Sequence, residues 1–97
     1  MKKETLTQLI ESKAGILLLD IREADELEGM PGVEGATHMP MGKVFKEAVK
    51  GNLPKDKHIV VFCRTGGRAS VVERELRERG YQIDGLEGGL DEYGNPE

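Results

Sequence analysis

Residues 58–70 read HIVVFCRTGGRAS and contain the only cysteine of the chain, Cys63. The apolar run before the cysteine is typical of a strand buried on both faces, as in a parallel sheet. The segment that follows, ASVVERELRERG, has apolar residues at helical spacing and predicts a helix from near Ala69 to Gly80. This succession places Cys63 at the carboxyl end of a parallel strand, where α/β proteins bind their ligands.

The rest of the chain repeats the alternation of strands and helices. Further strands are predicted at residues 16–20, at 36–38, and from Tyr81 into a turn. Further helices are predicted from Thr5 to near Gly15, over 22–29, and over 43–51. We therefore expect an α/β domain with a mainly parallel sheet and right-handed crossovers.

Length and composition exclude several classes of protein. A chain of 97 residues can form one compact core but is too short for two ordinary domains, so we expect a single domain over residues 1–97. Charges of both signs are interspersed and the net charge is −4, which argues against a nucleic-acid partner. No apolar run is long enough to span a membrane, and one cysteine cannot form an internal disulfide. These features predict a soluble cytoplasmic protein.

The glycines behind Cys63 are suited to an anion site. Gly66 and Gly67 permit backbone conformations in which successive N–H groups turn inward and form a concave cradle. The helix predicted to begin near Ala69 directs its positive N-terminal end at the same point. The backbone around Cys63 is therefore expected to bind negative charge.

Two arginines in the same segment strengthen this expectation. Arg64 and Arg68 are cations beside a helix N-terminus, and no acidic residue occurs between Cys63 and Glu73. A lone cysteine after an apolar strand is more often a small core residue. The combination of glycines, arginines and a following helix instead favours a reactive thiolate at Cys63.

On these residues the sequence resembles the rhodanese family of sulfurtransferases. The resemblance extends along nearly the whole chain, in the segments LLLDIRE (17–23), GVEGATHMP (32–40), HIVVFCRTGGRAS (58–70) and LRERGYQIDGLEGGLDEY (76–93). It implies a central, mainly parallel sheet of about five strands flanked by helices on both faces. It also implies that no metal ion or organic cofactor is required.

The resemblance further implies a double-displacement mechanism. Cys63 would take the outer sulfur of a small sulfur-containing anion, such as thiosulfate or polysulfide, as a persulfide, and would pass it to cyanide or to a small-molecule or protein thiol. Backbone N–H groups of the loop would stabilise the persulfide anion, and its arginines would help to bind the donor. The expected persulfide- and substrate-binding residues are Arg64, Thr65, Gly66, Gly67, Arg68 and Ala69.

Asp20 and Arg22 close the strand at 16–20, on the same edge of the sheet as Cys63. By resemblance we expect them to support the loop through ion pairs and hydrogen bonds rather than to act in catalysis. The alternative is an ordinary strand end in which Arg22 pairs with Glu26 four residues later.

Four other residues need comment. His38 and His58 show no spacing typical of a metal ligand or a catalytic base, so neither receives a catalytic role. Gly32 stands where the family often has histidine, and Tyr93 stands near a common tryptophan position.

Two other functions stay open. Cysteine phosphatases and arsenate reductases also place a cysteine loop at a helix N-terminus, but they use Cys-x5-Arg, whereas Cys63 and Arg68 form Cys-x4-Arg. The shorter loop suits a single sulfur better than a tetrahedral phosphate. The domain could instead be a non-enzymatic persulfide carrier or a partner-binding module, and the sequence leaves both monomer and homodimer open.

Overall fold

A computed structural model describes residues 1–94. Its strands are β1 (Leu17–Asp20), β2 (Thr37–His38), β3 (Ile59–Phe62) and β4 (Ile83–Gly85). Its helices are α1 (Lys3–Glu11), α2 (Glu26–Gly29), α3 (Met41–Lys50), α4 (Gly67–Glu78) and α5 (Gly89–Tyr93). None of these helices is both long and apolar enough to cross a membrane.

The strands form one parallel sheet in the order β2-β1-β3-β4. β1 and β3 run side by side, with Asp20 aligned on Phe62. Cys63 directly follows Phe62, so it lies at the carboxyl edge of the sheet, next to the end of β1. The predicted α/β architecture with a parallel sheet is confirmed.

Helices cover both faces of the sheet, so β3 is buried on both sides. Ile59 and Val61 pack with Cys63 in the core cluster that contains α3 and α4 side chains. Val60 and Phe62 pack in the second cluster, with Leu6 of α1 and Leu90 of α5. This alternation follows from the two-residue period of a strand, and it directs Cys63 toward the face that α4 covers.

The expected number of about five strands is wrong for residues 1–94, where the sheet has four strands. Met1 occupies the edge beyond β4: its amine donates to the Gly85 carbonyl at 2.7 Å, and its own carbonyl accepts from the Glu87 N–H at 2.8 Å. Only Lys2 separates Met1 from α1, so this segment is too short to form a strand.

Several helix boundaries also differ from the sequence prediction. α1 begins two residues earlier than expected, and α2 occupies only the last four residues of the predicted 22–29 segment. α4 begins at Gly67 rather than Ala69, because Gly66 adopts φ 100° and ends the loop earlier. α5 was not predicted, since its five residues are too few to show a helical pattern.

Candidate active site

Cys63 lies in a short loop between β3 and α4. The cysteine is 1% exposed, and the Gly66 N–H donates a hydrogen bond to its sulfur at a distance of 3.1 Å. Gly67 and Arg68 are the first residues of α4, and N–H groups in the first turn of a helix have no partner within the helix. The sulfur thus accepts a hydrogen bond from the backbone at the positive end of a twelve-residue helix.

The backbone of this loop is fixed from one side by α5. The N–H of Leu90 donates to the Cys63 carbonyl at 3.0 Å, and the N–H of Asp91 donates to the Arg64 carbonyl at 2.9 Å. These two N–H groups lie in the first turn of α5 and have no partner within the helix, so they are free to bind the two loop carbonyls. Both carbonyls are engaged with α5, so the loop can present N–H groups to the sulfur.

Gly89 makes this contact possible. A Cβ atom at this position would lie 2.5 Å from the carbonyl oxygens of both Cys63 and Arg64, and Gly89 has φ 56°. Both the close approach and the left-handed backbone exclude an ordinary side chain. The Gly-Gly turn at the start of α5 is therefore part of the cysteine loop's architecture.

Arg68 is held by a carboxylate from a distant part of the chain. Its two terminal nitrogens donate to the two carboxylate oxygens of Glu26, at 2.7 and 2.8 Å. The hydrogen bond from Arg68 lowers the pKa of Glu26 to about 2. The pKa of Arg68 is raised, chiefly by Glu26 and in smaller part by Cys63. Arg68 therefore forms a bidentate pair with Glu26 while also interacting electrostatically with the cysteine.

Arg64 behaves differently. Its side chain is 63% exposed, and its Nε lies 3.4 Å from the Asp91 carboxylate. An exposed pair at this distance contributes little stability and can rearrange easily. Arg64 is the arginine of the loop that remains available to meet a ligand.

Asp20 and Arg22 form a buried ion pair at the end of β1. The Arg22 Nε lies 2.9 Å from Asp20 Oδ1, a terminal Arg22 nitrogen lies 2.7 Å from Oδ2, and the hydrogen bond to Asp20 raises the pKa of Arg22. The other terminal nitrogen donates to the backbone carbonyls of Glu26 and Met30, at 3.4 and 2.8 Å. Arg22 thus fixes α2, the helix that carries Glu26 to Arg68.

The alternative pairing of Arg22 with the Glu26 side chain is wrong. Arg22 hydrogen-bonds the Glu26 backbone carbonyl, whereas the Glu26 carboxylate hydrogen-bonds Arg68. Gly32 packs against the buried pair: a Cβ atom there would lie 2.8 Å from Asp20 Oδ2 and 3.3 Å from an Arg22 nitrogen. Gly32 therefore has a steric role that a histidine could not take without displacing Asp20.

The two histidines lie outside the sulfur environment. His38 Nε2 is 2.7 Å from the Arg22 carbonyl oxygen, and His58 Nε2 is 2.7 Å from Asp84 Oδ2. His58 precedes β3, whereas Cys63 follows it, so the two lie at opposite ends of the strand. Neither histidine is hydrogen-bonded to the cysteine.

The site residues predicted from sequence did not include Glu26, Asp91 or Gly89. Glu26 and Asp91 are separated from their arginines by 42 and 27 residues, so no local spacing reveals the pairs. One signal was present: α2 follows β1, and the carboxyl ends of neighbouring parallel strands share an edge. Acidic residues just after β1 were therefore candidates to meet the cysteine loop.

The sequence matches the family described as Rhodanese-like domain over residues 2–95. The chain belongs to the rhodanese-like domain family. A solved structure of a rhodanese homologue from Thermus thermophilus superposes with a TM-score of 0.75 at 30% identity, covering 94% of this chain and 95% of that one.

Two relatives of this rhodanese-like chain are named for sulfur transfer. A protein of Allochromatium vinosum named sulfurtransferase is 32% identical over 89 residues, which are 90% of this chain and 79% of that protein. A tRNA sulfurtransferase of Desulfurococcus amylolyticus is 35% identical over 77 residues, or 79% of this chain but only 14% of that protein. These relatives support sulfur transfer as the general activity of the rhodanese-like domain.

Proposed function

We propose that the protein is a sulfurtransferase that carries a sulfane sulfur as a persulfide on Cys63. The observation that carries this proposal is the position of the buried sulfur, 3.1 Å from the Gly66 N–H and at the start of α4. Donors aimed at a buried sulfur stabilise negative charge more strongly than they would in water. A persulfide anion at this point would extend into the same set of backbone N–H groups.

In the first half-reaction the Cys63 thiolate attacks the outer sulfur of the donor. With thiosulfate, a sulfur–sulfur bond forms at Sγ, the bond between the outer sulfur and the sulfonate group breaks, and sulfite leaves with the electron pair. The cysteine becomes a persulfide anion, and the total charge is unchanged. Polysulfide reacts in the same way, with a shortened polysulfide as the leaving group.

In the second half-reaction the acceptor attacks the outer sulfur of the persulfide. Cyanide leaves as thiocyanate and a thiol leaves as a new persulfide, and in each case the Cys63 thiolate is restored. The N–H groups of residues 64–69 stabilise the negative charge of the Cys63 persulfide, and Arg64 and Arg68 favour the anionic form of the persulfide. The reaction requires no bound metal ion or cofactor.

The test is steady-state turnover with thiosulfate as donor and cyanide as acceptor, followed by the formation of thiocyanate. Wild-type protein should produce thiocyanate catalytically, and Cys63→Ser should produce none while keeping its circular dichroism spectrum. Equal rates in the two proteins would contradict the proposal.

A second candidate is a persulfide carrier that loads and unloads only once with a dedicated partner. The same buried sulfur supports this function, because loading needs only the first half-reaction. Stoichiometric loading without turnover by any small acceptor would favour the carrier.

We further propose that the protein is a cytoplasmic monomer or homodimer and that its acceptor is a small-molecule or protein thiol.

Phosphatase or arsenate reductase activity fits the geometry less well. The arginine that would clamp an oxyanion, Arg68, is already engaged by both oxygens of Glu26. Cys63-dependent hydrolysis of an aryl phosphate, faster than sulfur transfer, would reverse this ranking.

A further inference from the structure

The outward face of α3 carries three lysines that have no ion-pair partner among residues 1–94. Lys43, Lys46 and Lys50 are exposed and follow one another at intervals of three and four residues, so they lie on one side of the helix. Glu47 is the only acid of α3, and its carboxylate accepts a hydrogen bond from the Asn52 side chain at 2.7 Å. This lysine face therefore carries three positive charges that no neighbour in the described chain neutralises.

The lysine face is unfavourable for α3 when nothing covers it. Lys46 and Lys50 are like charges one turn apart, and Lys43 lies in the first turn, where the helix dipole disfavours a cation. Val49, beside Lys46 and Lys50, is 64% exposed, the highest value among the exposed large hydrophobic residues of the described chain. Repelling charges around an exposed apolar side chain are typical of a surface that a partner covers.

The chain also carries a surface of the opposite charge, in the acidic segment 23–30, EADELEGM. Its exposed acids Glu23, Asp25 and Glu28 have no cationic partner within residues 1–94. No lysine or arginine occurs between Arg22 and Lys43. The acidic segment thus carries three negative charges that remain available, as many as the positive charges of the lysine face.

An apolar trough adjoins the acidic segment. It has a volume of 370 Å³, and its wall includes the apolar side chains of Leu27, Val33 and Ala36. Leu27 lies between Asp25 and Glu28 in the sequence, so acids border the trough. The trough can therefore receive an exposed valine that is itself flanked by lysines.

We propose that the lysine face of α3 binds the acidic segment of a second copy of this chain, with Val49 in the trough. The Met41 N–H donates to the Ile21 carbonyl at 3.0 Å, so α3 begins next to the residues that lead into the acidic segment. The two surfaces are neighbours on one molecule, and a two-fold axis lets each copy present both of them to the other. Such a contact closes on itself and selects the homodimer over the monomer.

Charge reversal tests this contact, with self-association measured by sedimentation equilibrium. Wild type should dimerise with a dissociation constant of about 100 μM or tighter. One variant reverses the lysine face, with Lys43→Glu, Lys46→Glu and Lys50→Glu. The other variant reverses the acidic segment, with Glu23→Lys, Asp25→Lys and Glu28→Lys. Each variant alone should bind itself about tenfold more weakly or worse, because like charges then meet.

A mixture of the two variants should restore the contact. With one variant labelled with nitrogen-15, native mass spectrometry should show a one-to-one complex, because the reversed charges match again. This result also shows that both variants are folded. Reversal of three other exposed cations gives the same net charge as reversal of the lysine face and should leave dimerisation within about threefold of wild type. This control carries Lys13→Glu, Arg74→Glu and Arg79→Glu.

A separate pair of variants tests the apolar part of the contact. Val49→Ser should weaken dimerisation by about threefold or more, because the trough then receives a polar side chain. Ile10→Ser is the control: Ile10 is also exposed, but α1 covers the opposite face of the sheet. It should leave the dissociation constant unchanged.

Three results would overturn the proposal. The first is a wild type that is still monomeric at about 100 μM. The second is a pair of reversed variants that dimerise like wild type or do not combine with each other. The third is a monomeric wild type whose lysine face instead binds a short RNA duplex or phosphatidylserine vesicles. None of these results concerns the loading of sulfur on Cys63, so the sulfurtransferase proposal stands or falls separately.

Discussion

The two sides of the cysteine loop are held by different forces. On the α5 side, backbone N–H groups of Leu90 and Asp91 bind the loop carbonyls at 3.0 and 2.9 Å, while the Arg64 side chain stays largely exposed. On the α2 side, the contact is between side chains, a bidentate pair of Arg68 and Glu26. One side fixes the path of the backbone and the other fixes the charge.

This difference assigns separate roles to two arginines that look alike in sequence. Arg68 is a positioning residue, because its guanidinium is committed to Glu26 and acts on the sulfur electrostatically. Arg64 is loosely paired and can turn toward a donor. Arg64, the nearer to Cys63 in sequence, can thus change its position, whereas Arg68 is held in place by Glu26.

The backbone side should be the more sensitive to mutation. Gly89→Ala places a Cβ atom 2.5 Å from two loop carbonyls at a left-handed residue, so we expect a loss of about 3 kcal/mol in the free energy of unfolding. Chemical denaturation measures this loss. Gly51→Ala is the matched control, because Gly51 has φ 76° with no atom within 4 Å, and it should cost about 1 kcal/mol. Equal losses in the two variants would mean that the contact between α5 and the loop is unimportant.

The charge side should control the reactivity of the sulfur. Arg68→Ala leaves the Glu26 carboxylate without its cation, so loading of Cys63 by cysteine persulfide should slow by about tenfold. Arg64→Ala should slow the same reaction by less than about threefold, since Arg64 is exposed and loosely held. Time-resolved intact mass spectrometry gives both rates. The double variant Arg68→Ala/Glu26→Gln should recover part of the loss, and a larger effect at Arg64 than at Arg68 would reverse the assignment.

Acid should abolish the Arg68–Glu26 contact at a defined pH. The pKa of Glu26 is about 2 in the folded protein, below its ordinary value of 4.5. A lowered folded-state pKa means that the stabilisation is complete above about pH 4.5 and is lost as the pH falls toward 2. The free energy of unfolding of wild type at pH 6 should exceed that of Glu26→Gln by about 1 kcal/mol. The difference is small because solvent screens the partly exposed pair.

Denaturation curves of the two proteins at several pH values test this expectation. The stability difference should still be present at pH 5 and should disappear near pH 2. A difference that vanished already between pH 5 and pH 6 would show that Arg68 does not hold Glu26 as described.

Local sequence was sufficient for the two central strands and for the position of the cysteine loop between β3 and α4. The apolar runs at β1 and β3 predicted two buried parallel strands, and Gly66 marked the end of the loop before α4. These features depend on neighbouring residues, which is why a pattern of a few residues predicts them.

The contacts that α2 and α5 make with the cysteine loop could not be predicted in the same way. Glu26 and Asp91 reach the arginines only after the parallel strands bring their carboxyl ends together, so the pairing depends on topology. The absence of acids from Cys63 to Glu73 suggested a positive site, although carboxylates from α2 and α5 neutralise it. The contact of Gly89 with the loop likewise depends on tertiary packing.

The most direct test of the account is a complete sulfur cycle followed by intact mass spectrometry. Reduced wild-type protein is treated with cysteine persulfide, freed of excess donor, and then treated with cyanide. The account predicts a gain of one sulfur atom, its loss on addition of cyanide with formation of thiocyanate, and no gain in Cys63→Ser. A wild-type protein whose mass stays unchanged with cysteine persulfide, thiosulfate and polysulfide alike would contradict it.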